Sequence, residues 1–178
     1  MIKKNDLIFD VLQVVSWIAF VGLCIEAGAI VFNFIFSYFK PIVAQNLYRG
    51  LDLSELYQNH FPHFIAVMSF IVVIAIMKAY LFYLVVRIFM KLDLSNPFSR
   101  DIATLIEKIS YEAFAIAIVS IVAQQYTKRL LHTGYEVSHA HKYWGDIAAF
   151  LMMAAIVYII SKIFDKGIQI QEENDLTV

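Results

Sequence analysis

The stretch FIAVMSFIVVIAIMKAYLFYLVVRIFM, Phe64 to Met90, decides what kind of protein this is. It holds only two charged residues, Lys78 and Arg87, and exceeds the roughly 18 to 20 residues that a helix needs to cross about 30 Å of hydrocarbon. Comparable runs extend from Leu7 to Tyr38, Ile102 to Gln124 and Ile147 to Phe164. With no water inside a bilayer to satisfy backbone N–H and C=O groups, stretches of this kind are expected to be helical throughout. The expected fold is therefore all-α, an integral membrane bundle of four transmembrane helices with two outer loops and a short inner hairpin loop, residues 1–178 forming one domain.

Composition agrees. Apolar residues make up 61% of the 178 and charged ones 16%, against about 45 to 50% and 25% in soluble domains. The net charge of −1 offers no basic face for nucleic acid, so no direct nucleic-acid contact is expected. Cys24, the one cysteine, has no disulfide partner within the chain. Lys3 and Lys4 precede the first apolar run as in a signal peptide, but the run continues to Tyr38 without a small-residue cleavage site and is expected to be a retained first helix.

Lys and Arg favour the cytoplasmic side of short loops. With the N-terminus inside, the inner segments carry Lys3, Lys4, Arg87, Lys91, Arg100, Lys108, Lys162 and Lys166, and the outer ones Lys40, Arg49, Lys128, Arg129 and Lys142. The bias puts both termini in the cytoplasm. The inner loop KLDLSNPFSRD is tight, and Asn96 before Pro97 reads as a helix start. In the first outer loop, Leu51, Leu53, Leu56 and Tyr57 are expected to lay an apolar face on the membrane surface. In the second, Tyr126, Tyr135, Tyr143 and Trp144 suit an interfacial belt.

Three ionisable residues fall at bilayer depth: Glu26, Lys78 and Glu112. Such residues are rare in spans and are functional hypotheses by default. The similar depth of Lys78 and Glu112 predicts a pair, which leaves Glu26 without an assigned partner. Interhelical packing explains such a pair more simply than transport does. All five histidines, His60, His63, His132, His139 and His141, lie in or beside the outer loops, and His132, Glu136 and His139 share a face if that segment is helical. Imidazole and carboxylate suit zinc or copper, but the spacing matches no established metal motif, so no cofactor is assigned.

The most specific text is the C-terminus, FDKGIQIQEENDLTV, together with the SNPFS turn. With the four-helix layout, these resemble the bacterial membrane family catalogued as domain of unknown function 2975, whose members commonly end in a similar glycine-led, QEEN-containing tail. The resemblance implies an inner-membrane, multi-pass protein. Many members look to be encoded beside a small helix-turn-helix regulator, which implies signalling, and no catalytic residues come with the family. Gly167 is expected to end the fourth helix or let it bend, after which Ile168, Ile170 and Leu176 flank the acidic Glu172, Glu173 and Asp175. Gln171 to Leu176 (Gln171, Glu172, Glu173, Asn174, Asp175, Leu176) is therefore expected to bind a partner, either the basic inner loop or a cytoplasmic regulator. The expected function is that of a non-enzymatic sensor or regulatory partner in the lipid bilayer. The alternatives are a small transporter or channel, assembled as a homo-oligomer around Glu26, Lys78 and Glu112, and an enzyme acting at the outer face through the histidines.

Overall fold

The computed structural model describes residues 4–92 and 97–175. Among them the chain is all-helical, with long helices α1 (Lys4–Phe39), α3 (Phe61–Lys91), α4 (Arg100–His132) and α6 (Ile147–Asp175) and short ones α2 (Ser54–Asn59) and α5 (His141–Trp144). Three segments, Leu7–Phe39, Phe61–Lys91 and His141–Asn174, are long and apolar enough to cross a membrane. They leave aliphatic side chains such as Val14, Ile18, Ile25, Ile159 and Ile163 more than half exposed, a surface that only an apolar solvent covers without cost. The remaining expected span, Ile102–Gln124, is helical as part of α4, but it is not one of these three. Its buried residues include the small side chains Ser110, Ala113, Ala117, Ser120 and Ala123, which favour close helix packing.

The helix ends have local causes. α1 stops at Phe39 because Lys40 precedes Pro41 and is extended, with φ −134° and ψ 96°, as the ring of a following proline demands. Pro62 sits in the first turn of α3, where its missing N–H costs nothing. Ser99 caps α4, its hydroxyl accepting the Ile102 N–H at 3.3 Å. The expected cap, Asn96, lies outside the described residues. At its other end α4 closes in a Schellman motif: Gly134, at φ 94°, donates to the Leu131 carbonyl and Tyr135 to that of Leu130, both at 3.1 Å. That stop breaks the helical face on which His132, Glu136 and His139 would align.

The chain forms two compact units. The first comprises Met1–Val21, Tyr80–Ala115 and Ala148–Val178. In it Phe9 packs on Phe89 and Phe20 on Tyr83, while the Ser110 hydroxyl donates to the Ala154 carbonyl at 2.9 Å, tying α4 to α6. α6 does not end at Gly167; it continues to Asp175, so the described part of the acidic tail is helical. Arg100 donates from Nε and Nη2 to Glu172 Oε1, the shorter bond 2.7 Å, and joins the start of α4 to the tail. Leu176 lies outside the described residues.

The second unit, Gly22–Ala79 and Ile116–Ile147, holds a core in which the two loops expected on the outer side both take part. Leu51, Leu53 and Leu56 are at most 3% exposed, packed among Phe64, Val67, Met68 and Trp144. They do not lie on a membrane surface. The same holds for Trp144, 1% exposed, so the expected interfacial belt is in part a protein core. An apolar periodicity demands only that something cover it, and here the covering is the other loop.

Candidate functional site

Within the second unit, Leu23, Glu26, Ile30, Arg49, Ile71, Ala75, Lys78, Lys142 and Tyr143 line a cavity of about 280 Å³. α1 and α3 supply Leu23, Glu26, Ile30, Ile71, Ala75 and Lys78, and the two connecting loops supply Arg49, Lys142 and Tyr143. The Arg49 guanidinium lies 3.5 Å from the Glu26 carboxylate, with the arginine largely exposed and the glutamate mostly covered. Glu26, expected without a partner, is thus paired with a loop residue 23 positions on in the chain.

Arg49 is held by a strained turn. Its φ of 56° makes it the non-glycine residue with positive φ among the described residues, and Gly50 follows at 72°. A side chain in this region costs on the order of 1 kcal/mol and persists only where the surroundings over-determine it. They do so here. Leu47 donates to the Leu51 carbonyl at 2.8 Å, Gly50 to the Leu47 carbonyl at 2.9 Å, and both leucines are buried. The turn is pinned by its core leucines and presents Arg49 to the cavity.

Tyr143 organises the opposite side. Its carbonyl accepts a hydrogen bond from Lys78 Nζ at 3.2 Å, and its hydroxyl donates to the Tyr48 carbonyl, linking α3, α5 and the Arg49 turn. Glu26 and Arg49 both lie near enough to Lys78 to act on its charge. The cavity lining therefore carries three cationic side chains, Arg49, Lys78 and Lys142, and one carboxylate, Glu26. Of the expected intramembrane residues, Glu26 and Lys78 meet here. Glu112 is half-buried on α4 in the first unit, so the partners that the second unit supplies to Lys78 are Tyr143 and Glu26. In the sequence Arg49 and Lys142 counted only toward orientation and Tyr143 only as an interfacial aromatic, so none of the three pointed to a site.

The histidines are arranged differently. His63 Nδ1 is 2.8 Å from the Tyr126 hydroxyl, and the His60 ring stands edge-on to Tyr135 at 4.7 Å between centroids. His60 and His63 are neighbours, 5.9 Å apart by ring centroid. Among the described residues no three of His, Cys, Asp or Glu gather closely enough to hold a metal ion.

A family model described as protein of unknown function (DUF2975) matches residues 48–178. The chain belongs to that family. The DUF2975 match takes in Arg49, Lys78, Lys142 and Tyr143, together with the NPF turn and the tail, while Glu26 precedes it. No curated protein and no solved structure matches the chain.

Proposed function

We propose that this DUF2975 protein is a non-enzymatic sensor of the bacterial inner membrane that relays a state of the outer side to a cytoplasmic regulator. In this reading α4 crosses the bilayer with the three more apolar helices, and both termini lie in the cytoplasm, as the distribution of Lys and Arg favours. The outer loops then form the receiving end and the acidic end of α6 the transmitting one. The observation that carries the reading is the charged cavity: it assembles Glu26, Arg49, Lys78 and Lys142 on a loop core and a pinned turn, a costly arrangement for packing alone.

The tail supports the transmitting role. Glu172, Glu173 and Asn174 are exposed along the last turns of α6, and Ile170 is half exposed beside them. An acidic helix end suits a basic partner surface such as that of a small helix-turn-helix regulator, since charge complementarity selects partners. Deleting Gln169–Val178 tests this. The deletion is expected to release the regulator from membranes and to change transcription downstream of it; no change in either would contradict the proposal.

A further inference from the structure

The cavity chemistry points to the ligand, and this inference rests on the sensing reading only in treating that ligand as the signal. We infer that the cavity binds a phosphate group carried by a small amphipathic molecule, with Arg49, Lys78 and Lys142 around the phosphate and Leu23, Ile30, Ile71 and Ala75 around the apolar part.

Three observations converge. First, the lining residues Arg49, Lys78 and Lys142 outnumber the single carboxylate Glu26, an excess of positive charge that suits a ligand of about −1.5 to −2, as phosphate monoesters are near neutral pH. Glu26 engages Arg49 at 3.5 Å and also acts on the Lys78 charge, one carboxylate shared among the three cations of the lining. Secondly, the charge is arranged for the task at some expense: Arg49 reaches the rim from a left-handed backbone, at φ 56°, whose flanking Leu47 and Leu51 are buried. A residue kept in such a conformation beside a cavity is the pattern expected of a ligand clamp. Arginine and lysine are also the side chains that make the strong, charge-assisted bonds to phosphate oxygens. Thirdly, the lining also carries four aliphatic side chains, Leu23, Ile30, Ile71 and Ala75, and about 280 Å³ accommodates a small ligand and not a bulky one. Inorganic phosphate would leave those side chains uncovered. A phosphate with a short hydrocarbon body covers them.

The same chemistry occurs in a free organic phosphate and in a phospholipid headgroup, and one set of measurements separates them. Full-length protein in nanodiscs of phosphatidylcholine is titrated calorimetrically with inorganic phosphate and with butyl phosphate; retention of phosphatidic acid, whose headgroup is a phosphate monoester, by the detergent-purified protein is read by native mass spectrometry. If the ligand is a free solute, butyl phosphate binds severalfold tighter than inorganic phosphate for each methylene buried. If it is a lipid, the soluble probes fail and phosphatidic acid is retained. In either case Arg49→Gln and Lys142→Gln each weaken the binding by roughly tenfold or more. Arg49→Lys keeps the charge and weakens it less, and Lys166→Gln, in the other unit, leaves it unchanged. Lys142 is exposed, so its variant folds whatever the fate of the arginine variant.

Absence of binding by all three probes would overturn the inference, as would equal binding by wild type and by Lys142→Gln. Phosphate binding with no effect on the regulator would keep the site and remove the relay. Regulator association without phosphate binding would do the reverse.

Discussion

The ring of Phe98 lies so close to Gly167 that a β-carbon there would stand 2.7 Å from Cδ1 and Cε1 of the ring. Phe98 also packs on Phe164 at 5.3 Å, so the turn before α4 is seated on α6 at the point where α6 has no side chain. These are residues of the two segments, SNPFS and the glycine-led tail, on which the family resemblance rests. The glycine is there for close approach. In a helix interior it costs about 1 kcal/mol relative to alanine, and the contact with Phe98 and its neighbours compensates.

Gly167→Ala is therefore expected to lose stability by about 1–3 kcal/mol from overpacking, partly offset by better helix propensity. In a Phe98→Ala background the same change is expected to stabilise, by up to about 1 kcal/mol. Thermal unfolding of the four proteins of this cycle in detergent checks the sign reversal.

Leu56 distinguishes a loop core from a loop laid on lipid. It is fully buried, so Leu56→Ala is expected to cost about 2–5 kcal/mol, whereas a residue resting on the membrane surface would change stability by less than about 0.5 kcal/mol. Equilibrium unfolding of the variant measures the difference.

At the start of α4, a hydrogen bond from Lys91, reinforced by its charge, holds the Asp101 carboxyl below the usual carboxylate range. A depressed folded-state pKa contributes stability above the unfolded value of about 4 and loses it as pH falls through the folded value. Asp101→Asn is thus expected to lower the melting temperature slightly at pH 7 and to match wild type only once the pH lies below the depressed folded value. The pair is exposed, and the effect is expected to shrink with added salt.

The proposed topology makes its own demand. A reporter active only in the periplasm, fused to the C-terminus, is expected to be silent, while the same reporter placed in the loop after Phe39 is expected to be active. Activity at the C-terminus would reverse the orientation.

Hydropathy located α1, α3 and α6, because a run such as Phe64–Met90 has one low-energy backbone solution in hydrocarbon, and α4 is helical where the remaining run was expected without being one of the membrane-length apolar segments. Proline and glycine marked several of the ends. What covers Leu51, Leu53 and Leu56 was not legible, since an apolar face reads the same against lipid as against Trp144. The partner of Glu26 was hidden for a related reason: pairing by depth considers only residues inside spans, and Arg49 enters from a loop. In the tail, Gly167 read as a helix end because its role, accommodating Phe98, depends on a residue 69 positions earlier in the chain.

The central claim is that the state of the outer cavity reaches a regulator at the cytoplasmic end of α6. It is tested most directly by the amount of helix-turn-helix regulator retained on membranes bearing wild type, the Gln169–Val178 deletion or Arg49→Gln, all at equal expression. The account predicts that the deletion abolishes retention and that Arg49→Gln, a change confined to the cavity rim, shifts it by roughly tenfold, the equivalent of about 1.4 kcal/mol of coupling. Retention that is the same for all three would contradict it.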